Sequence, residues 1–304
     1  MGARNRVPGP VPPNARTNPL LEIDEARFRE GFNRQAFFIR HRLVGHPLFE
    51  LPRLIELSQQ LPADFVEYNA GRIPVNQDPT HTPKTGLGIE ETIRRIEECD
   101  SWMVLKYVEA DAEYKRLVDD CLDEIGRLAE PMEPGMTQRE GFVFISSPGS
   151  VTPYHMDPEY NFLLQIRGSK TLSVWSPSDR AVLSELELEQ YLSGGHRNLV
   201  YKDEYQRAAR ECALAPGMGL HVPVTAPHWV KNGDAVSISF SITFRTPTSE
   251  RRNSVYATNA WLRRRGLRPR PFGESSWRDE LKFNSHRVVR RIQKMRASRR
   301  PAAG

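Results

Sequence analysis

His155 and Asp157 stand two residues apart in a stretch running from Gly149 to Pro177. On a strand, side chains two apart point to one face. Two imidazoles and one carboxylate grouped on one side of a divalent metal leave the opposite positions open. That set is the facial triad of non-heme Fe(II) oxygenases. The third ligand must come from elsewhere in the chain; His228 is the leading candidate and His221 competes with it. A His-x-Asp pair alone is common and mostly structural. Its weight here comes from its company: Thr152, Asn161 and Lys170 all lie within fifteen residues of His155. A lysine in a turn between strands is ordinarily a surface residue.

The elements that must hold these residues are legible in outline. From Gly141 onward the chain turns β-rich. Segments Gly141–Ser147, Phe162–Ile166, Thr171–Trp175, Gly219–Val224 and Ala235–Thr246 are short and rich in β-branched or aromatic residues. Gly168 separates two of them in the manner of a hairpin. Over Val236–Ile242 the apolar residues take one face and Ser237, Ser239 and Ser241 the other. Such a strand is half-buried, its serines read as a solvated face, and that face is free to line a cavity. Before Gly141 the pattern is mainly helical. Residues 22–60 read mostly as helix with a short strand at Phe37-Phe38-Ile39. Leu51–Leu61 is a helix with Pro52 in its first turn. Residues 72–88 read as a loop, and Glu90–Glu98 and Asp111–Leu128 as helices. In the last, Tyr114, Leu117, Val118, Cys121, Leu122, Ile125 and Leu128 share one face. Helices first and strands later predict a β-barrel or sandwich core with helices packed outside. Residues 181–212 read as an insertion between strands.

Bulk properties bound the remainder. The chain has 304 residues and 38% hydrophobic content, enough for one large domain with appendages. Cys99, Cys121 and Cys212 are scattered, which argues against a disulfide framework or zinc ribbon and for a reducing compartment. No apolar run approaches the roughly 20 residues of a membrane span. Residues 1–20 hold five prolines and read as a disordered lead-in without the apolar core of a signal peptide. A soluble cytoplasmic protein is expected. The net charge of +5 hides an asymmetry: residues 251–304 carry 16 Lys+Arg against 3 Asp+Glu, and residues 1–250 carry 27 against 35. The basic tail is expected either to pack on the acidic body or to meet an anionic partner such as nucleic acid. It also holds a predicted helix with Ser276 as N-cap and Asp279 three residues on. Trp277, Leu281, Val288, Ile292 and Met295 form that helix's apolar stripe.

Taken together, the residues resemble the JmjC and cupin-like family of Fe(II)- and 2-oxoglutarate-dependent oxygenases, in particular its protein-asparaginyl hydroxylases. The shared pattern is Gly149, Val151-Thr152-Pro153, His155, Asp157, Asn161-Phe162, Gln165-Ile166, Gly168 and Lys170. It continues in Val222-Pro223, His228 and Asn232-Gly233. The resemblance covers about a third of the chain. It implies a mainly β, double-stranded β-helix core of the jelly-roll, cupin or JmjC type over residues 140–247. The catalytic domain would span 21–250, followed by a basic helical region over 251–304. It implies His155, Asp157 and His228 as Fe(II) ligands, and its spacing selects His228 over His221. It implies Lys170, Thr152 and Asn161 as the site for 2-oxoglutarate, with O₂ as the co-reactant. Tyr154 and Tyr160 would stand at the pocket mouth. Two departures stand out. The last core strand offers Ser239 and Ser241 where the relatives have Asn, and Met218 replaces an Asp common after Pro-Gly.

The activity so implied is hydroxylation of a C–H bond with release of succinate and CO₂, on a protein or peptide side chain or on a small molecule. N-demethylation is the same chemistry and is not separated from it by these residues. The rival class is a non-catalytic cupin-like regulator that holds nucleic acid through its basic tail, and a Zn²⁺ or Mn²⁺ cupin is a third. The tail helix is a candidate homodimer interface.

Overall fold

The computed structural model describes residues 18–297. Most of the expected lead-in lies outside the described residues. The Leu20 N–H is already tied down, bonded to Glu124 at 2.8 Å. The strands are β1 (Leu21–Glu22), β2 (Phe37–His41), β3 (Val66–Ala70), β4 (Ser101–Lys106), β5 (Thr137–Ser146), β6 (Val151–His155), β7 (Tyr160–Arg167), β8 (Lys170–Val174), β9 (Arg210–Leu214), β10 (Met218–Val222), β11 (His228–Asn232) and β12 (Ser237–Arg245). The helices are α1 (Glu25–Gly31), α2 (Leu51–Gln60), α3 (Ile89–Arg94), α4 (Ala112–Ala129), α5 (Glu185–Leu192), α6 (Pro247–Arg263) and α7 (Ser276–Ala297).

Two sheets face each other. The larger has the order β1-β2-β10-β7-β12-β5-β4-β3, the smaller β6-β11-β8-β9. Every strand pair is antiparallel. The arrangement is the mainly β, jelly-roll core that the strand pattern and the resemblance both predict. α1 to α4 lie against the outer face of the larger sheet, and α5, α6 and α7 pack on one another. Alternation on β12 explains how. Ile238, Phe240, Ile242 and Phe244 join the main apolar core under the helices, while Ser237, Ser239 and Ser241 turn into the space between the sheets. A second, smaller apolar cluster of Leu163, Leu172, Val174, Val222 and Val230 fills part of that space. The serines are therefore buried and not solvated. Ser239 Oγ donates to Gln165 at 2.7 Å and Ser241 Oγ to Asn161 at 2.8 Å.

α4 forms where its apolar stripe demands it. Asp111 caps it, accepting from the Glu113 and Tyr114 amides. Its buried face meets β5 at Gly141, where an added Cβ would lie 2.7 Å from Val118. Gly168 has another function than the expected hairpin. β7 and β8 do not pair; they belong to different sheets. The chain switches sheets at this residue, whose φ is +66° and whose missing Cβ leaves room for the Val236 carbonyl. Ser276 is the first residue of α7, so it is not the N-cap predicted for it. Asp279 instead reaches back to the Gly273 amide at 2.8 Å. α7 also turns its apolar stripe outward: Trp277, Leu281, Val288 and Ile292 are exposed. No helix among the described residues is long and apolar enough to cross a membrane.

Candidate metal centre

β6 and β11 pair so that His228 stands opposite His155 at the end of the smaller sheet. The register shifts just beyond, between His228 and Val230. His155 is the last residue of β6; Asp157 lies two residues further, in the turn that leads to β7. That turn is fixed by the Thr225 amide, which donates to the Asp157 carbonyl at 2.8 Å. Its donor belongs to the loop that delivers His228. One loop thus sets the distance between two of the three candidate ligands.

Both imidazoles are locked by the backbone. His155 Nδ1 donates to the Pro153 carbonyl at 2.7 Å and His228 Nδ1 to the Ala226 carbonyl at 2.9 Å. Each ring then presents Nε2 with its lone pair uncommitted. The two Nε2 atoms point at Asp157 Oδ2, from 3.8 Å and 3.7 Å. Candidate ligand atoms of all three residues lie within 4.8 Å of one another. Burial, with the neighbouring His228, pushes the His155 pKa down to about 3, so its ring is neutral. Burial by itself would raise the Asp157 carboxyl. The two imidazoles that face it, the Arg197 guanidinium and an Asn161 hydrogen bond overcome it and hold the group below its ordinary value. A carboxylate flanked by two imidazoles with free Nε2 atoms is a donor set suited to a borderline divalent ion.

His221, the competing candidate, is elsewhere occupied. Its Nε2 accepts from the Asn33 amide at 3.1 Å and its Nδ1 bonds the Asn161 carbonyl at 3.1 Å. Phe32, Phe37 and Phe162 enclose the ring. Burial drives its pKa down to about 3.

The residues predicted to hold a cosubstrate line the cavity between the sheets, together with His155, Asp157 and His228. Thr152 comes from β6, Asn161 from β7 and Lys170 from β8. Lys170 is only 6% exposed. Its ammonium lies 6.0 Å from the Phe144 ring centre and has no carboxylate partner among the described residues. Burial pushes its pKa down to about 7. A cation in this position is stable as a charge only when an anion enters the cavity. Asn161 is held in place by Ser241. Tyr154 and Tyr160 are not at the mouth. Tyr154 packs edge-on against Trp175, and Tyr160 stacks on Phe244 at 4.8 Å. Both are fully buried, because each faces an apolar cluster and not the inter-sheet space.

Residues beyond the sequence reading complete the site. The insertion is pinned to it by a bridge between Asn198 and His155. This brings the Arg197 guanidinium to 3.9 Å from Asp157 Oδ1. Arg197 also lines an open groove of about 700 Å³ that leads from Thr152 and His155 toward Tyr191, Lys84 and Glu67. Nothing in local pattern singles out Arg197 among the chain's arginines; only the bridge to β6 does.

Comparison with known proteins agrees with this architecture. The family described as a cupin-like domain matches residues 58–250. Lysine-specific demethylase 8 of Xenopus tropicalis is 30% identical over 132 residues, 41% of this chain and 28% of that protein. HSPB1-associated protein 1 of Rattus norvegicus is 30% identical over 146 residues, 43% of this chain and 30% of that protein. The chain thus aligns with under a third of the length of these relatives. Among solved structures, the Escherichia coli protein ycfD superposes with a TM-score of 0.50 at 15% identity, covering 88% of this chain and 68% of that one. That likeness is one of fold.

Proposed function

The chain belongs to the cupin-like domain family, and on that premise we propose that it is an Fe(II)- and 2-oxoglutarate-dependent dioxygenase. It hydroxylates a C–H bond of a protein or peptide side chain and releases succinate and CO₂. The single observation that carries this reading is the buried Lys170 ammonium without a protein anion, in one cavity with His155, Asp157 and His228.

His155 Nε2, His228 Nε2 and the Asp157 carboxylate would hold the iron on one side. Lys170 and Thr152 would hold the far carboxylate of 2-oxoglutarate, with Thr152 donating its hydroxyl hydrogen, and Asn161 would hydrogen-bond near the cosubstrate. Iron and cosubstrate together would supply the oxidising chemistry with O₂. The protein contributes position. The backbone bonds at Pro153 and Ala226 keep both rings oriented. The apolar wall of Leu163, Leu172, Val222 and Val230 excludes water from the cosubstrate end. The open groove beyond Arg197, about 700 Å³, supports a protein substrate over a small molecule. N-demethylation, the activity named for the Xenopus relative, would use the same residues. Residues 21–250 form the catalytic unit on this reading. The exposed stripe of α7 is its homodimer interface, and the three free cysteines suit a reducing cytoplasm.

The test is anaerobic addition of Fe(II) and 2-oxoglutarate to the full chain. A charge-transfer band at about 500 nm is expected for a chelate on this ligand set. Absence of the band in the wild type, or its persistence in His228→Ala, would overturn the reading. Removal of residues 272–304 should shift a dimer to a monomer in light scattering.

A further inference from the structure

Tyr191 and Gly195, which wall the active-site groove, also wall a second cavity of about 710 Å³. This cleft separates the end of the barrel from α7. The barrel side offers Arg245, and α7 offers His286, Arg287 and Arg290. Three- and four-residue spacings put such side chains on one helix face.

The chemistry of the cleft is one-sided. Arg287 and Arg290 are exposed, and neither has a carboxylate partner among the described residues. Arg287 lies over the Phe283 ring, 5.5 Å from its centre. Several other arginines are matched, Arg53 to Asp111, Arg94 to Glu90, Arg139 to Asp123 and Arg263 to Glu189, while exposed ones such as Arg34, Arg116, Arg207 and Arg268 stand singly, away from this cleft. Two further nitrogens lining the cleft, His286 Nδ1 and Arg245 Nε, are buried without a hydrogen-bond partner. The one acid in the wall, Glu250, is engaged by Gln138 at 2.6 Å. Arg245 already holds Glu159 through another guanidinium nitrogen, but Arg287, Arg290 and His286 Nδ1 face one opening without an anionic acceptor.

We propose that this cleft binds an Asp- or Glu-rich segment of the polypeptide whose target side chain is presented at the His155–Asp157–His228 cluster. The inference rests on the protein-substrate reading above and deepens it. Continuity argues for a polypeptide. Tyr191 and Gly195 are shared by both cavities, so one extended chain, advancing about 3.3 Å per residue, reaches from one into the other. A nucleic acid strand would want a free aromatic face on which to stack its bases. Phe283 is half-buried beneath Arg287, and Tyr191 is half-buried against the cluster of Leu183 and Leu188, so neither ring stands free of the protein.

Fluorescence anisotropy of a labelled peptide of alternating Glu and Gly reads the cleft by itself, on the full chain without iron or 2-oxoglutarate. Salt-sensitive binding is expected, with no binding of the Gln/Gly counterpart. The double variant Arg287→Glu/Arg290→Glu should weaken it about tenfold or more. Its thermal melt should match the wild type; should it fail to fold, Arg287→Gln and Arg290→Gln singly report the same contact. Equal affinity in wild type and variants overturns the proposal. So does a single-stranded oligonucleotide of equal charge that displaces the peptide at lower concentration. Peptide-independent consumption of 2-oxoglutarate should be the same in the wild type and the double variant. If peptide binding behaves as expected while 2-oxoglutarate is never consumed, the oxygenase reading alone fails.

Discussion

Two buried imidazole sites have Asn161 as a common neighbour, and they have opposite fates. At His221 both ring nitrogens are spent on backbone groups, and three phenyl rings enclose what remains. At His155 and His228 only Nδ1 is spent, and Nε2 is left facing Asp157. Burial and a low pKa are common to His155 and His221. They do not distinguish a ligand from a strut. The uncommitted nitrogen does.

The comparison can be broken at its strongest point first. Asp157→Ala should abolish iron-dependent succinate formation, a loss on the order of 10³-fold or more. It should also remove the visible band formed with Fe(II) and 2-oxoglutarate. A variant that keeps both would mean the metal sits elsewhere. Next in size is Lys170→Met, which leaves the cosubstrate carboxylate buried and unpaired. A rise of about 10²-fold in the KM for 2-oxoglutarate is expected, with little change in affinity for the iron itself.

The same residue makes a pH prediction. The folded-state pKa of Lys170, about 7, lies below its ordinary 10.5. The unfolded chain therefore binds more protons than the folded one between those values. Stability without ligand should rise as pH climbs from about 7 to 10.5, by up to a few kcal/mol. Chemical denaturation at several pH values checks this. Lys170→Met should flatten that part of the curve, and 2-oxoglutarate should stabilise the wild type most where the ammonium is charged.

His221→Gln sharpens the contrast from the other side. It should cost about 1–3 kcal/mol of stability by orphaning the Asn33 amide or the Asn161 carbonyl, read as a lower denaturation midpoint. Iron binding should stay within about twofold, since no ligand is touched. The smallest effect belongs to Ser241→Ala. Asn161 loses one hydrogen bond, and a rise of a few-fold in the 2-oxoglutarate KM is expected, corresponding to about 1 kcal/mol.

The legible part of the fold was the part with strong periodicity. α4 and β12 follow directly from their apolar faces, at 3.6 and 2 residues. β4 escaped notice because Trp102-Met103-Val104-Leu105 is apolar on both faces, and such a run does not declare its type; β3 and β9 escaped because each is five residues long with too few apolar positions to show an alternation. The Gly168 turn was visible as a turn. Its connection of two sheets was not, since a hairpin and a crossover of the same length share one local signature. The serines of β12 were misjudged for a related reason. Alternation shows that two faces differ, but a polar face can meet water or meet Gln165 and Asn161.

Residue chemistry and order along the chain determined the donor types, their spacing and the presence of a lysine fifteen residues after His155, because those are properties of side chains and of local backbone period. Tertiary structure decided which histidine keeps a free nitrogen, how deep Lys170 lies, and that Arg197 and the α7 arginines line connected cavities. Each of these depends on contacts between segments far apart in the chain. Local pattern does not encode which backbone carbonyl will occupy a given nitrogen, nor which surface will close over a given charge.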